Sequence, residues 1–193
     1  IFSGSIMLPL KFLIHIKSLK STGMLGGLCM NKRMLFLGLI YAWSLFAAPL
    51  EEAFNWSRSQ TSITFSISMI TFCLGSFISG IALKKYRPGN ILLISAILFL
   101  IGFFGASCIT NIWGLYLSYG VLCGLGVGLS YNAILSTIPK WYPGAGGFVT
   151  GTLLMGMGLG SLILGTVVKR IIDVLVWVMT FRILAVVFFL VFY

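Results

Sequence analysis

The stretch Gly120-Val-Leu-Cys-Gly124-Leu-Gly-Val-Gly128 decides the fold class, because it repeats glycine every four residues inside an apolar run. The run covers residues 113–138. That length suffices for a membrane crossing, since about 20 apolar residues span the hydrocarbon core of a bilayer. On a helix, the repeated glycines form one flat stripe where a neighbouring backbone can approach closely. The stretch therefore predicts a membrane-spanning helix that packs tightly against another.

The rest of the chain has the same character. Its 193 residues are 59% hydrophobic and 8% charged, with a mean hydropathy of +1.09. Soluble domains carry about 25% charged residues, so the composition excludes a soluble globular domain, a disordered chain and a coiled coil. It predicts an all-α polytopic membrane protein. We place six spans at residues 34–50, 61–83, 90–109, 113–138, 147–168 and 177–193.

Residues 1–29 differ from the rest, because lysines interrupt their apolar character. We expect this N-terminal segment to be partly or wholly foreign to the fold, and residues 30–193 to form the transmembrane unit.

The net charge of +10 is distributed between the spans. Nine cations fall on the side of the N-terminus: Lys11, Lys17, Lys20, Lys32, Arg33, Lys84, Lys85, Arg87 and Lys140. Three fall on the other side, namely Arg58, Lys169 and Arg170, while Arg182 lies within the last span. Lys and Arg are enriched in cytoplasmic loops. We therefore predict a plasma-membrane protein with a cytoplasmic N-terminus, whose partner is the lipid bilayer and not a nucleic acid.

The sequence offers no parts for enzymatic chemistry. Its cysteines (Cys29, Cys73, Cys108 and Cys123) are widely spaced, and His15 is the single histidine, so we expect no metal site, no cofactor and no catalytic residues. Gly124-Leu-Gly-Val-Gly128 is not a phosphate loop, because such a loop follows a strand and opens a helix at a polar turn. Helix packing explains these glycines, and also Gly156 and Gly160 in the fifth span.

Four polar-edged side chains lie inside the first and fourth spans: Tyr41, Trp43, Tyr131 and Asn132. Groups of this kind need a partner or a cavity within the membrane. Two interpretations stay open, a substrate cavity and helix–helix hydrogen bonds. The three acidic residues all lie at span ends, and a membrane interior without carboxylates suits an anionic substrate.

A series of motifs in fixed order resembles the oxalate/formate antiporter family of the major facilitator superfamily. The motifs are Tyr41-Ala-Trp-Ser-Leu-Phe-Ala-Ala-Pro49, Asn55-Trp-Ser57, Leu115-Tyr-Leu-Ser-Tyr-Gly120, Gly124-Leu-Gly-Val-Gly-Leu-Ser-Tyr131, Lys140-Trp-Tyr-Pro143 and Gly156-Met-Gly-Leu-Gly160. The resemblance covers residues 30–193. It implies the N-terminal half of a twelve-helix carrier, whose two six-helix halves rock around a midplane site.

The resemblance also implies a substrate class and a set of site residues. Family members carry oxalate, formate or related small carboxylates. Aromatic residues of spans one, four and five line the family's cavity at positions that match Tyr41, Tyr131 and Met157, of which the methionine departs from the pattern. The essential cations come from the second half, which is the expected partner of this unit.

The loop between spans two and three departs from the superfamily pattern. That pattern reads Gly-x-x-x-Asp-Arg, whereas this chain has Gly80-Ile-Ala-Leu-Lys84-Lys85 followed by Arg87. The resemblance implies that these residues form a cytoplasmic gate loop.

The alternative to a transporter of small organic anions is a small non-transporting membrane protein that associates through its glycine-rich helix faces.

Overall fold

The computed structural model describes residues 32–142 and 144–193. Within these ranges every regular element is a helix, which confirms the all-α fold class. The helices are α1 (Lys32–Ile40), α2 (Trp43–Phe54), α3 (Arg58–Ala82), α4 (Pro88–Ser107), α5 (Ile112–Lys140), α6 (Gly146–Ile172) and α7 (Val176–Phe192). The predicted segment 1–29 lies outside the described residues, as do the side chains of Tyr41, Ala42, Trp141, Asp173 and Leu175.

The length and surface of the helices identify a multi-pass membrane protein. The helices α3, α4, α5 and α6 are long and apolar enough to cross a membrane, and α1 with α2 forms a fifth candidate that is bent by 41°. The α7 helix is apolar but shorter. Large apolar side chains such as Ile70, Ile101 and Phe104 are exposed. So much exposed apolar surface is stable against lipid and not against water.

The turn between α2 and α3 is built from its sequence. Asn55 has a φ of 54°, the left-handed conformation that asparagine tolerates and that ends a helix. Ser57 then caps α3: its hydroxyl accepts from the Gln60 amide, and the Gln60 side chain accepts from the Ser57 amide. This reciprocal capping fixes where the second span begins.

The α5 helix changes its winding along its length. Tyr116–Cys123 form a π-helical segment, Gly124–Thr137 are α-helical, and Ile138–Trp141 form a 3-10 turn. The π segment contains Gly120, the first glycine of the stripe, and such segments are frequent at functional sites.

The break between the last two helices lies later than the charged residues predict. The chain stays helical through Lys169 and Arg170 and leaves helical geometry at Val176, with φ 65° and ψ 154°. Lys and Arg are good helix formers, and no Gly or Pro stands at the basic pair. The charges therefore occupy the last turn of α6 and do not terminate it.

The bundle has two distinct ends. Arg33 Nε donates to the Val191 carbonyl at 2.8 Å, which joins the start of α1 to the end of α7. At the other end, the Phe54 ring stacks on Trp56 at 4.5 Å and lies 5.5 Å from Trp177. We call this the Trp56 end, and the opposite one the Lys85 end. Tryptophan is enriched at membrane–water interfaces, so the two tryptophans there mark an interface at this end.

Candidate substrate cavity

A cavity of about 350 Å³ opens at the Trp56 end, between α2 and α3. This volume lies within the range of small-molecule sites, which is roughly 300–1,000 Å³. Its lining combines one cation, four hydroxyls and two aromatic rings. The residues are Trp43, Ser44, Ala47, Arg58, Thr61, Ser62, Phe65 and Ser66.

Trp43 forms a rigid floor for this cavity. Its indole Nε1 donates to the Thr61 carbonyl at 3.1 Å, which ties α2 to α3. The other face of the indole packs on Tyr119, with 4.4 Å between the ring centroids. Beneath Trp43 the core closes, because the gap between Tyr119, Cys123 and Phe188 has a volume of only about 10 Å³. A substrate in this cavity would rest on the indole.

Arg58 lies at the mouth and carries the positive charge. Its Nη1 lies 3.3 Å from Glu51 Oε2, and the Thr61 hydroxyl donates to the same carboxylate. The Arg58 side chain is 64% exposed, whereas that of Glu51 is 20% exposed. A guanidinium has five N–H donors, and one nitrogen makes both recorded contacts with Glu51. The remaining donors are available to a second carboxylate.

The hydroxyls of the lining differ in their availability. Ser62 donates to the Arg58 carbonyl at 2.8 Å, and Ser66 donates to the Ser62 carbonyl at 3.3 Å. Both hydroxyls therefore bond back to their own helix, as Ser and Thr do inside helices. Ser44 on α2 is exposed and has no hydrogen-bond partner among the described residues. It can donate to a ligand without losing an existing bond.

Of the predicted cavity residues, the structure places Trp43 in this lining. Tyr131 and Asn132 lie farther along α5, about 18 Å beyond Tyr119 at the usual helical rise. The Tyr131 ring is 5.3 Å from Phe72 on α3. Met157 on α6 is buried where α6 crosses the backbone of Gly38. The side chain of Tyr41 lies outside the described residues.

Asn132 bridges two helices. Its Nδ2 donates to the Ser76 carbonyl at 2.7 Å, and its Oδ1 lies 3.1 Å from the Ser136 hydroxyl. An added Cβ at Gly80 would lie 3.2 Å from the same Nδ2. The amide therefore makes the helix–helix hydrogen bond that was the alternative to a cavity role. The first residue of the predicted gate loop, Gly80, leaves room for it.

The glycine stripe of α5 lies against α3. A Cβ at Gly124 would be 2.8 Å from the Ser68 carbonyl oxygen, and one at Gly128 would be 2.7 Å from the Ser76 amide. A Cβ at Gly120 would meet Ile67 at 3.0 Å. At Gly124 and Gly128 these distances to backbone are shorter than real Cβ contacts, so only glycine permits this approach; at Gly120 the contact is tight but falls on a side chain. We call this contact of α3 with α5 the glycine seam.

Hydroxyls of α3 donate across the glycine seam. Thr71 Oγ1 donates to the Gly120 carbonyl at 2.7 Å, and Ser79 donates to the Leu129 carbonyl at 3.0 Å. Ser76 donates to the Gly128 carbonyl at 3.3 Å. Close backbone approach and interhelical hydrogen bonds therefore act together. They make α3 and α5 one rigid pair.

A second glycine contact joins α6 to α1. Gly160 faces the backbone of Leu35, and Gly38 faces the backbone of Met157. Gly156 is buried beside them. By contrast, an added Cβ at Gly151 or Gly158 would meet nothing within 4 Å. One face of α6 thus packs inside the chain, while another presents small residues outward.

The predicted gate loop forms the turn between α3 and α4 at the Lys85 end. Lys84, Lys85 and Arg87 are exposed there, and Pro88 opens α4. No acidic residue contacts these three cations among the described residues. Their charge is free to face water or lipid headgroups.

Sequence reasoning missed Arg58, Ser62 and Ser66 as cavity residues. The signal was present, because these residues are spaced four apart and therefore share one face of α3. It was hidden by two facts: Arg58 looked like a loop charge, and the serines looked like ordinary hydroxyls of a span. The partner face, which Trp43 and Ser44 supply, comes from another helix.

The chain matches the family model of the Major Facilitator Superfamily over residues 33–193. The chain belongs to the Major Facilitator Superfamily. This match confirms the superfamily that the motifs indicated. It also makes the protein a member of a transporter family and not an enzyme.

Relatives within the superfamily are longer than this chain. It is 32% identical over 126 residues to the uncharacterized MFS-type transporter YhjX of Escherichia coli, covering 65% of this chain and 31% of the relative. It is 27% identical over 149 residues to the oxalate:formate antiporter of Oxalobacter formigenes, covering 74% and 35%. It is 30% identical over 138 residues to monocarboxylate transporter 12 of Rattus norvegicus, covering 69% and 28%. The chain thus spans about a third of the length of these relatives.

Proposed function

We propose that the chain is the N-terminal part of a secondary active transporter for small organic anions, with oxalate, formate or a related carboxylate as substrate. The observation that carries this proposal is the cavity at the Trp56 end. It presents the free donors of Arg58 above the indole of Trp43, with the Ser44 hydroxyl beside them. A guanidinium binds a carboxylate through charge-assisted hydrogen bonds. The names of two relatives, an oxalate:formate antiporter and a monocarboxylate transporter, support the same substrate class.

Arg58 fits an entry site better than a deep binding site. The Glu51 carboxylate already offsets the positive charge of Arg58, and water screens an exposed ion pair. An anion would therefore bind weakly at Arg58 and dissociate readily toward the deeper site, as transport requires. In the full carrier, Tyr41, Tyr131, Asn132 and Met157 remain the candidates for deeper contacts, on the strength of the resemblance. A second half of the carrier supplies the opposite wall and its cations.

Alternating access is largely the rigid-body rocking of one half of a carrier against the other. The glycine seam supports such a movement, because it holds α3 and α5 together within this half. The proposed orientation places the N-terminus and the Lys85 end in the cytoplasm of a plasma-membrane protein. It rests on the cations Lys84, Lys85, Arg87 and Lys140 at that end, against Arg58, Lys169 and Arg170 at the other.

Uptake of radiolabelled oxalate and formate by the full-length carrier in proteoliposomes tests this function. Arg58→Gln should raise KM roughly tenfold, because a hydrogen bond to a charged group is lost. Lys140→Gln removes an exposed cation at the other end and should leave KM unchanged. A normal KM in Arg58→Gln would contradict the entry site, and no uptake of any small carboxylate would contradict the function.

Glu51→Gln separates an anion site from a structural ion pair. The amide removes the competing charge but keeps the Arg58 guanidinium, so the account predicts an equal or lower KM. If the pair served only to hold α2 against α3, both variants would instead lose folded protein to a similar degree. Protein abundance, measured alongside uptake, distinguishes these results.

One observation favours the alternative of a non-transporting protein that associates through glycine-rich faces. The glycines of the seam are used inside the chain, but the Gly151 and Gly158 face of α6 is open. Open small-residue faces suit association of membrane helices. Loss of oligomers in a Gly151→Leu, Gly158→Leu double variant, in a full-length protein that takes up no small carboxylate, would support this alternative; carboxylate uptake would contradict it.

A further inference from the structure

Arg182 is a charged residue on an apolar face of α7. It is exposed, and its neighbours three or four residues away on the helix are Met179, Val186 and, one turn beyond, Leu190. These neighbours are 51%, 54% and 68% exposed. Another face of α7 packs inward, since Phe181 stacks on Phe46 at 5.0 Å. Arg182 therefore lies on the exposed apolar side of α7, a surface suited to contact with lipid.

No partner for Arg182 exists within the described residues, because no hydrogen bond or ion pair involves it. Glu51 is taken by Arg58, Glu52 is exposed on α2, and the Asp173 side chain lies outside the described part. A cation in hydrocarbon is costly, and it is retained where it reaches a counter-charge or the interface. The guanidinium of Arg182 is therefore free to bind a group outside the described residues.

The position of Arg182 on α7 decides where its charge goes. It follows the start of the helix at Val176 by six residues, which is about 9 Å along the axis. Helical side chains lean toward the N-terminus of their helix, and the N-terminus of α7 is at the Trp56 end. A long arginine side chain can bury its methylenes and extend its charge to the interface. Trp177, near the start of α7, marks that interface.

Two more cations lie near the same turn. Lys169 and Arg170 are exposed in the last turn of α6, and the chain reaches α7 only a few residues later. Neither has a hydrogen bond or an ion pair within the described residues. The helix segments that flank the junction of α6 and α7 therefore carry three exposed cations, and α7 adds an exposed apolar face. That combination matches an amphiphile with an anionic head.

We propose that Arg182, assisted by Lys169 and Arg170, binds the phosphate of an anionic phospholipid at the Trp56 end of the bundle. The guanidinium is suited to phosphate because its planar fork donates two parallel hydrogen bonds. The acyl chains lie along Met179, Val186 and Leu190. The site is independent of the transported substrate, because α7 does not line the cavity at Arg58.

Native mass spectrometry of the full-length protein with added phospholipid tests the site. The probe is phosphatidylglycerol, and phosphatidylcholine is the neutral comparison. Arg182→Gln should weaken phosphatidylglycerol binding about fivefold, since an exposed charge pair contributes up to about 1 kcal/mol. Lys140→Gln, an exposed cation at the Lys85 end, should not change it. Equal phosphatidylglycerol binding by wild type and Arg182→Gln would overturn the proposal.

Two further arms keep the result specific. Arg182→Lys keeps the charge but loses the fork, so its binding should fall between that of wild type and that of Arg182→Gln. This order also separates lipid binding from misfolding, which would not follow the charge. Inorganic phosphate should not displace the bound lipid. Displacement by phosphate alone would show that the site takes the free anion and would overturn the lipid assignment.

Discussion

The α3 helix makes two contacts that differ in kind. Toward α5 it meets glycines, and the two backbones approach so closely that an added Cβ at Gly75 would lie 2.6 Å from the Leu125 carbonyl oxygen. Toward α2 it meets Trp43, whose ring holds the helices apart beside a cavity of about 350 Å³. One helix thus has a closed face and an open face.

The difference shows how side-chain size assigns roles along one helix. Small residues remove the bulk that separates backbones, so hydroxyls such as Thr71 can reach carbonyls of the neighbouring helix. Trp43 has the opposite effect on the distance between the helices. Its N–H donates to the Thr61 carbonyl, and the bulk of its ring leaves a cavity beside it. The closed face gives rigidity, and the open face leaves room for a ligand.

The largest expected effect is from filling the closed face. Gly124→Leu places a side chain where the backbone of Ser68 lies, so the helices must separate and folded protein should be lost. Gly89→Leu is the matched control, because an added Cβ there meets nothing within 4 Å. Abundance in membranes and the thermal midpoint of the purified protein measure both. Normal abundance with altered substrate preference in Gly124→Leu would mean that the stripe lines the pathway instead.

A smaller effect is expected from the hydrogen bonds of the same face. Thr71→Val keeps the shape but removes the donor to the Gly120 carbonyl, and interhelical bonds of this kind average about 0.6 kcal/mol in membrane proteins. Thr152→Val is the control, since Thr152 bonds only its own helix, at Phe148. The denaturation midpoint of Thr71→Val should therefore lie below that of Thr152→Val. Equal midpoints would assign the cohesion of the seam to packing alone.

The fold was largely predictable because local chemistry determines it. The apolar runs predicted helices, and the motif Asn55-Trp-Ser57 became a left-handed helix stop followed by a capping serine. The end of α6 was not predictable from its charges, since Lys169 and Arg170 favour helix as readily as they end a span. The break at Val176 depends on how α6 and α7 pack, which no local signal encodes.

The candidate site was less predictable, because it is formed between helices. The mid-span position of Trp43 indicated a role other than the interfacial belt, and the structure places it in the cavity. Asn132 also lies mid-span, but its side-chain amide donates to the Ser76 carbonyl on another helix. A polar residue inside a span shows that a partner is needed, without showing which one. Arg58 is recognisable as a cavity residue only in the structure, where Trp43 and Ser44 share the same lining.

Protection of a cysteine by substrate tests the central claim most directly, namely that the open face of α3 takes a small carboxylate. Ser62→Cys, in the full-length carrier with all native cysteines replaced, places a thiol in the cavity lining; Ser79→Cys places one in the buried seam. The account predicts that a maleimide modifies Ser62→Cys readily, that oxalate slows this reaction several-fold, and that Ser79→Cys scarcely reacts. A rate at Ser62→Cys that is the same with and without oxalate or formate would contradict the account.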